Sequence, residues 1–169
     1  MRHGVYENYD MKKIDFKKAD IELIVYDFDG VMTDNTVIVD ENGKESVTVN
    51  RGDGYGISQI KKLNVLQVII STETNKVVQK RGEKLGIPTI YGAEDKKTVL
   101  FNYCIKNNIS TKNILYIGND LNDYEAMTIA GFTACPYDAE PEIKDYVGHI
   151  FGSKGGKGVV RELYRELTV

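Results

Sequence analysis

The sequence predicts an α/β fold in which a parallel sheet carries helices on both faces, and three observations support this. Short apolar runs, such as residues 21–26 and 113–117, hold almost no charge, as is typical of strands buried on both faces of a sheet. Helix-like segments alternate with these runs, and repeated β-α units build parallel sheets. The 169 residues suffice for one domain with a substantial core. The expected architecture is therefore Rossmann-like, with a small β-hairpin inserted into it.

The predicted elements follow one another along the whole chain. A strand at residues 21–26 precedes a hairpin at 36–49, where Asn42-Gly43 suits a tight turn because both turn positions favour positive φ. The next helix, at 53–64, should bury Ile57, Ile60 and Leu63 on one face. Residues 1–19 are predicted to be an N-terminal extension, and residues 20–169 to be one domain. The remaining elements are expected as strands at 65–71, 89–92, 113–119, 133–135 and 149–151, and as helices at 75–86, 96–107, near 124–130, near 140–146 and from about 159.

The composition argues against several classes of protein. The chain has 22 Lys and Arg against 25 Asp and Glu and no long basic run, which argues against nucleic-acid binding. No apolar stretch reaches the ~20 residues that cross a bilayer, and residues 1–20 lack the apolar core of a signal peptide. Cys104 and Cys135 lack C-x-x-C spacing and are expected to be buried packing residues. We therefore expect a cytoplasmic protein with no membrane or nucleic-acid partner.

Asp27 and Asp29 follow the first predicted strand at the point where it ends. In open α/β sheets, ligands bind beyond the carboxyl ends of the strands. Residues i and i+2 of an extended chain point to the same side, so both carboxyl groups can face one small volume. Two unit charges ~4 Å apart repel by about 4 kcal/mol at an effective dielectric of 20. Such a pair needs a shared proton or a cation, and Mg²⁺ is the typical hard cation bound by oxygens.

Polar residues also follow three further predicted strands, and parallel strands end at one edge of a sheet. Phosphoryl transfer requires a carboxylate that attacks phosphorus and a divalent cation that neutralises charge. It also requires hydroxyl and ammonium groups for the phosphoryl oxygens and an acid that protonates the leaving oxygen. The residues at these strand ends that can supply such groups are Ser71, Thr72, Glu73, Asp95, Lys96, Asn119, Asp120 and Asp123.

Each of these signals has a purely structural interpretation when it is taken alone. The Ser71 hydroxyl can cap a helix, Lys96 can be a solvated helix residue, and Asp120 and Asp123 can stabilise a helix N-terminus. An EF-hand is excluded because no acidic twelfth ligand follows the aspartate pair. The common order of the residues and their shared placement at strand ends favour the catalytic interpretation.

Four segments together resemble the motifs of haloacid dehalogenase superfamily phosphatases. They are residues 27–33 (Asp-Phe-Asp-Gly-Val-Met-Thr), Ser71, Lys96 and residues 118–123 (Gly-Asn-Asp-Leu-Asn-Asp), in this order. The resemblance covers roughly residues 20–168. The hairpin, residues 50–57 and the segment Gly155-Gly156-Lys157-Gly158 followed by Arg161-Glu162 resemble the cap-less branch that acts on 2-keto-3-deoxy sugar acid phosphates. This branch includes 3-deoxy-octulosonate 8-phosphate phosphatases, nonulosonate 9-phosphate phosphatases and the C-terminal module of some CMP-acylneuraminate synthetases.

The resemblance implies a role for each matching residue. Asp27 would be the nucleophile that forms an aspartyl-phosphate, and Asp29 the general acid and then the base. Ser71 and Lys96 would bind the phosphoryl group. A homotetramer is also implied, in which the hairpins pack together and a neighbour's residues 155–158 close the site. The implied Mg²⁺ ligands are Asp27, the Asp29 carbonyl, Asn119 and Asp120, and the residues expected to contact the substrate are Asn50, Arg51, Gly52, Asp53, Gly54, Thr72, Glu73 and Lys157.

The sequence departs from the family pattern at two places. Where the fourth motif usually has the metal-binding aspartate, this chain has Asn119, which supplies an oxygen but no charge. Octulosonate phosphatases usually carry Gly-Arg after the second-motif hydroxyl, whereas this chain has Thr72-Glu73, which resembles the nonulosonate side. A glutamate would repel a sugar carboxylate and would accept hydrogen bonds from hydroxyls. Arg51, Lys76, Arg81 and Lys154 or Lys157 are further candidates for binding a substrate carboxylate.

Two other classes of protein compete with the phosphatase hypothesis. A non-catalytic oligomerisation module would resemble the synthetase C-terminal domain, in which the Gly-Asn variation also occurs. A signalling receiver domain also uses acidic residues and a lysine at strand ends, but its phosphoacceptor lies on a later strand. Here the later strand at 65–71 leads into Ser71-Thr72-Glu73 and offers no aspartate as a phosphoacceptor, which argues against a receiver domain.

Overall fold

The computed structural model describes residues 13–169, and these form a six-stranded sheet, a separate two-stranded hairpin and six α-helices. A short 3₁₀ turn lies at Thr111–Asn113. The strands are β1 (Leu23–Tyr26), β2 (Ile38–Val39), β3 (Glu45–Ser46), β4 (Leu66–Ile70), β5 (Thr89–Ile90), β6 (Ile114–Ile117), β7 (Phe132–Cys135) and β8 (His149–Ile150). The helices are α1 (Arg51–Lys61), α2 (Lys76–Leu85), α3 (Lys96–Asn107), α4 (Leu121–Met127), α5 (Pro141–Tyr146) and α6 (Val159–Thr168).

The large sheet has the strand order β5-β4-β1-β6-β7-β8, and all of its neighbouring strands are parallel. The chain moves outward from β1 to β4 and β5, then returns to the other side of β1 to form β6. This reversal makes the boundary between β1 and β6 a topological switch point, where open α/β sheets bind ligands at the carboxyl ends of the strands. The expected doubly covered parallel sheet is confirmed.

Side chains alternate between two cores because successive residues of a strand point to opposite faces. Ile24 and Tyr26 of β1 belong to the core that also contains buried residues of α1, α2 and α6. Leu23 and Val25 of the same strand belong to the core that contains buried residues of α3, α4 and α5. Helices therefore cover both faces, and no side chain of β1 reaches solvent.

Most predicted element positions agree with the structure, and two differ for local reasons. Helix α4 begins at Leu121 rather than near 124, because the side chains of Asp120 and Asp123 form a capping box there. Helix α1 begins at Arg51, where the Asn50 side chain accepts a hydrogen bond from the Gly52 amide, and ends at Lys61. Leu63 therefore lies beyond the helix and is exposed, contrary to the prediction that it belongs to the core.

The hairpin of β2 and β3 lies between β1 and α1, as expected from the Asn42-Gly43 turn. Gly43 has a positive φ of 76°. Three consecutive aliphatic side chains of the first arm, Val37, Ile38 and Val39, are exposed. The first arm of the hairpin therefore presents an apolar surface outside the core.

Two regions outside the sheet bear on other expectations. Of the predicted extension at 1–19, residues 1–12 lie outside the described residues, whereas Ile14 and Phe16 are buried against the core of α1, α2 and α6. Cys104 and Cys135 are buried free thiols, which confirms their prediction as packing residues. Among residues 13–169, no helix combines the length and apolar character that a membrane span needs.

Candidate active site

Asp27 is the first residue after β1, and Asp29 follows two positions later at the switch point. The Asp27 side chain is buried and Asp29 is half-buried. Gly30 allows the chain to turn sharply, because its φ is +82° and a Cβ there would clash with the Asn119 side chain. The amides of Met32 and Thr33 then donate to the Phe28 carbonyl at 2.9 and 3.1 Å. This turn keeps both carboxyl groups at the carboxyl edge of the sheet.

Lys96, the first residue of α3, reaches back to the end of β1. Its ammonium nitrogen lies 2.7 Å from Asp27 Oδ1 and 2.7 Å from Asp123 Oδ1, and its side chain is 1% exposed. Asp95 positions the start of this helix, since its carboxylate accepts from the Thr98 amide at 2.9 Å. A buried lysine that bridges two carboxylates is therefore built into the centre of the site.

Asp123 is fully buried and organises the loop after β6. Its Oδ2 accepts from the Asn119 amide at 3.0 Å and from the Asp120 amide at 3.4 Å. Its Oδ1 also accepts from the Tyr116 hydroxyl at 2.8 Å. The Asp123 carboxylate thus connects the Lys96 ammonium group to the backbone of Asn119. Tyr116 was missed by sequence reasoning, because a tyrosine within an apolar strand gives no signal beyond packing.

A set of three oxygens lies between β1 and β6. The inner atom of the Asn119 amide lies 3.1 Å from Asp27 Oδ2 and 2.8 Å from the Asp29 carbonyl oxygen, and it is the amide oxygen in one of the two orientations of this group. Adjacent oxygens around an octahedral Mg²⁺, bound at about 2.1 Å, are separated by about 3 Å. Rotating the amide by 180° would instead let its nitrogen donate to the same two oxygens. With its oxygen inward, Asn119 completes a set that fits a small divalent cation.

The charge of this set is low for a metal site. Among residues 13–169, no group of three or more His, Cys, Asp and Glu side chains is arranged to hold a metal ion. The three-oxygen set combines one carboxylate with an amide and a backbone carbonyl. Asp120, the fourth expected ligand, lines the neighbouring cavity, while its Oδ1 accepts from the Leu121 amide and caps α4. Its role as a metal ligand stays a prediction.

Burial dominates the electrostatics of the nucleophile candidate. Burial and the charge of Asp123 raise the pKa of Asp27 and Lys96 lowers it, and the net result is a pKa of about 7. Burial lowers the pKa of Lys96, but the attraction of Asp27 and Asp123 outweighs burial and raises it. With all three ionised, two carboxylates share one ammonium, so the cluster carries a net charge of −1. A divalent cation at the three-oxygen set would favour the ionised form of Asp27.

Asp29 has the environment of a proton donor. Burial raises the pKa of Asp29, the hydrogen bond from Thr33 lowers it, and the charge of Glu73 raises it. The Thr33 hydroxyl lies 3.3 Å from Asp29 Oδ1 and is itself fully buried. A carboxyl group with a raised pKa beside a nucleophilic carboxylate is typical of a general acid.

Ser71 lies at the end of β4, next to β1 in the sheet, and is buried. Its Oγ accepts from the Glu73 amide at 3.1 Å. A cavity of about 70 Å³ lies directly in front of it. The residues that line this cavity are Asp27, Asp29, Asn35, Ser71, Thr72, Asn119, Asp120 and Asn122. The structure thus brings together most of the residues expected to be catalytic or metal-binding.

A second cavity of about 260 Å³ adjoins the first and shares Asp29 and Asn35 with it. Glu73 and the hairpin residue Glu45 line this space, and none of the Lys and Arg residues between positions 13 and 169 does so. The Glu73 carboxylate also accepts from the Thr74 and Asn75 amides at 2.8 and 3.0 Å. Asn35, which has a positive φ of 63°, was not identified from the sequence, because its role depends on the path of the loop.

The other residues expected to contact substrate lie outside these two cavities. Asn50 caps α1, and the Arg81 guanidinium donates to its carbonyl at 2.9 Å. Asp53 is buried and its Oδ1 accepts from the Val160 and Arg161 amides at 3.0 and 3.2 Å, so it caps α6. Gly52 and Gly54 lie in α1, Arg51 is exposed there, and Lys157 lies 3.6 Å from Asp34 Oδ2. Their contact with substrate stays a prediction.

Comparison with known proteins agrees with this geometry. The family model for haloacid dehalogenase-like hydrolases matches residues 10–163. The chain belongs to the haloacid dehalogenase-like hydrolase family. The 3-deoxy-D-manno-octulosonate 8-phosphate phosphatase of Salmonella typhi is 35% identical over an alignment of 151 residues, and the match covers 87% of this chain and 79% of that protein.

Solved structures within the family have the same fold. The 3-deoxy-D-manno-octulosonate 8-phosphate phosphatase of Yersinia pestis superposes with a TM-score of 0.85 at 30% identity, covering 88% of this chain and 81% of that chain. The Moraxella catarrhalis enzyme, in complex with a magnesium ion, a phosphate ion and a KDO molecule, gives a TM-score of 0.85 at 30% identity. That match covers 90% of this chain and 87% of the other. The recognition of the cap-less branch is confirmed.

Proposed function

We propose that this protein is a Mg²⁺-dependent phosphomonoesterase that hydrolyses the phosphate ester of a 2-keto-3-deoxy sugar acid. The observation that carries the proposal is the position of Asp27. One of its oxygens is held by Lys96 at 2.7 Å, and the other belongs to the three-oxygen set with Asn119 and the Asp29 carbonyl. This arrangement supports a nucleophilic carboxylate that a bound divalent cation would keep ionised for attack on a phosphoryl group.

The first half of the reaction uses Asp27 and Asp29. A carboxylate oxygen of Asp27 attacks phosphorus, the bond from phosphorus to the sugar oxygen breaks, and Asp29 gives its proton to that oxygen. The products are an aspartyl-phosphate and the free sugar acid. Lys96 and the Ser71 hydroxyl bind the phosphoryl oxygens during the transfer. The raised pKa of Asp29 supports its being protonated before this step.

The second half regenerates the enzyme. A water molecule gives a proton to the Asp29 carboxylate and attacks the phosphorus of the aspartyl-phosphate. The bond from phosphorus to Asp27 then breaks, which releases inorganic phosphate and restores the Asp27 carboxylate. Asp27, the Asp29 carbonyl and Asn119 would hold Mg²⁺, with Asp120 at the edge of the cavity. When bound, the cation supplies positive charge that offsets the charge of the phosphoryl group.

Two observations bear on the sugar. The named relatives at 30–35% identity act on an eight-carbon acid phosphate, which supports octulosonate 8-phosphate. The second cavity is lined by Glu73 and Glu45 and, within the described part of the chain, by no Lys or Arg. Together with Thr72-Glu73, this supports a substrate that offers hydroxyl groups there. Nonulosonate 9-phosphate, with its longer hydroxylated chain, is therefore the second substrate to test.

We further propose a cytoplasmic homotetramer. The exposed Val37, Ile38 and Val39 of the hairpin supply an apolar surface that self-association would cover. The two buried free cysteines support a reducing compartment. The contribution of residues 155–158 to a neighbour's site stays a prediction, as does the domain boundary at residue 20.

The proposal is tested by measuring phosphate release from octulosonate 8-phosphate and nonulosonate 9-phosphate, with Mg²⁺ and after chelation. We expect turnover only with the cation, and a loss of at least about 10³-fold in Asp27→Asn. Asp145→Asn, at an exposed helix position, serves as the matched control. Turnover that survives chelation, or that is unchanged in Asp27→Asn, would exclude this mechanism. A stable tetramer that neither binds Mg²⁺ nor releases phosphate would favour the non-catalytic assembly module.

A further inference from the structure

The glycines at 155 and 156 pack directly against the loop that follows the nucleophile strand of the same chain. The Gly156 amide donates to the Val31 carbonyl at 3.0 Å. Gly155 is buried, and a Cβ on it would clash with the carbonyl oxygens of Gly30 and Thr33. Only a glycine allows the two backbones to approach this closely. The two glycines therefore pack against the backbone of residues 30–33 and support it.

These glycines belong to residues 152–156, here called the glycine segment, which two carboxylate side chains hold in place. The Gly155 amide donates to Asp138 Oδ1 at 2.8 Å. The amides of Gly152 and Ser153 donate to the two carboxylate oxygens of Glu162, in α6, at 2.8 and 2.7 Å. Because its position is fixed by these carboxylates, the segment can act as a rigid support.

Thr33 connects the supported loop to the acid–base carboxylate. Its buried hydroxyl oxygen accepts from the amides of Gly30 and Asn35, both at 3.2 Å. With those donors on its oxygen, its proton is directed to Asp29 Oδ1 at 3.3 Å. The backbone of residues 30–35 and the Asp29 side chain are thus joined through one hydroxyl group.

We infer that Gly155, Gly156 and Thr33 are positioning residues for Asp29, the general acid of the proposed reaction. The inference rests on the proposed function, because it assigns Asp29 a proton transfer. The glycine segment holds the loop backbone, and Thr33 sets the direction of the Asp29 carboxyl group. Losing the Thr33 hydroxyl group impairs protonation of the leaving oxygen and leaves the attack by Asp27 largely intact. Displacing the glycine support also moves the Gly30 backbone next to the Asp29 carbonyl.

A comparison of leaving groups tests this. A sugar alkoxide needs a proton as it leaves, whereas p-nitrophenolate leaves readily without one. The value of kcat/KM reports the steps up to the release of the leaving group. It therefore reflects the role of Asp29 as the acid and not its later role as the base. We expect Thr33→Val and Gly155→Ala to lose roughly 10- to 100-fold in kcat/KM for octulosonate 8-phosphate. For p-nitrophenyl phosphate, the loss in Thr33→Val should stay within about 3-fold. Gly155→Ala also disturbs the backbone beside the Asp29 carbonyl, so it should lose activity on both substrates.

Matched variants separate positioning from a general loss of folding. Thr33→Ser keeps the hydroxyl group and should retain most of the activity lost in Thr33→Val. Gly152 lies in the same segment, but a Cβ there would meet only Glu162 Oε1 at 3.4 Å. Gly152→Ala should therefore leave kcat/KM for both substrates unchanged. Equal losses on both substrates in Thr33→Val, or no loss on the sugar ester in either Thr33→Val or Gly155→Ala, would overturn the inference.

Hydrogen exchange gives a second readout that does not need activity. Gly155→Ala should raise amide exchange in residues 30–35, whereas Gly152→Ala should not. Unchanged exchange in Gly155→Ala would overturn the support role. Should the wild-type protein release no phosphate from either ester, the proposed function fails, and the exchange measurement alone decides whether the glycine segment supports the loop.

Discussion

Lys96 Nζ and Asp27 Oδ1 lie 2.7 Å apart inside the protein, although 69 positions separate the two residues in the chain. Lys96 begins a helix and Asp27 directly follows a strand, so the fold itself creates the pair. Asp123 holds the ammonium from its other side at the same distance. The central ion cluster of the site therefore depends on three segments that meet at the switch point.

Removing the ammonium group should destabilise the fold as well as the catalysis. Lys96→Met would leave two buried carboxylates without a countercharge, and breaking a buried ion pair in this way costs about 3–5 kcal/mol. The free energy of unfolding, measured by urea denaturation without Mg²⁺, should fall by this order, and phosphate release should be lost. Raising the Mg²⁺ concentration should recover part of the stability by compensating Asp27.

The adjacent lysine is the matched control. Lys97 makes an exposed pair with Glu125 at 3.3 Å, and such surface pairs contribute about 0–1 kcal/mol. Lys97→Met should therefore change neither unfolding nor activity appreciably. Equal effects at positions 96 and 97 would contradict the central role given to the buried ion cluster.

Two fully buried tyrosines on adjacent strands offer a second matched pair. The Tyr116 hydroxyl donates to the Asp123 carboxylate at 2.8 Å, whereas the Tyr26 hydroxyl donates to the Gln67 amide oxygen at 2.9 Å. Tyr116→Phe should cost about 1.5–3 kcal/mol of stability, because the acceptor is charged, and should lower kcat by loosening Lys96. Tyr26→Phe should cost about 0.5–1.5 kcal/mol and leave kcat unchanged. A kcat that falls equally in both variants would show that the effect is general to the core.

Asn119→Asp should strengthen binding of the cation. It adds a carboxylate to a set in which Asp27 supplies the only charged side chain, and opposite charges in contact attract by several kcal/mol before screening. We expect the Mg²⁺ concentration for half-maximal activity to fall by about tenfold or more, and the metal-free protein to lose stability by repulsion with Asp27. Calorimetric titration of Mg²⁺ would check the binding directly.

The control for this change lies at the rim of the same cavity. Asn122→Asp adds the same charge at an exposed position that is not part of the three-oxygen set. Its effect on Mg²⁺ affinity should be small, because solvent screens it. An equal gain at position 122 would mean that overall negative potential, and not direct ligation by residue 119, controls affinity.

The sequence predicts the fold well where periodicity and turn chemistry are strong. Apolar runs identify the strands, and the order of the polar strand ends identifies Asp27, Ser71, Lys96 and Asn119 as neighbours, because parallel strands share one carboxyl edge. The sequence does not reveal that Asp53 caps α6, since residues 107 positions apart meet only after packing. For the same reason, the sequence indicates only a core position for Tyr116, and its hydrogen bond to Asp123 is evident only in the structure.

Asp53 should make stability depend on pH in a specific way. Burial raises its pKa from 3.8 to about 6, although the amides of Arg161 and Val160 and the charge of Arg81 lower it. Because the folded pKa lies above the unfolded one, the folded state binds the proton more tightly, so this contribution to stability falls as pH rises through about 4 to 6. Its other oxygen, Oδ2, is buried and has no hydrogen-bond partner among residues 13–169, so ionisation above pH 6 is not compensated there.

Asp53→Asn keeps an acceptor for α6 but cannot titrate. Between about pH 7.5 and pH 5, the wild-type protein should therefore gain roughly 1–2 kcal/mol of unfolding free energy relative to Asp53→Asn in urea denaturation. A difference that stays constant over this range, or that shrinks towards pH 5, would show that Asp53 is ionised throughout and that its hydrogen bonds to α6 outweigh its burial.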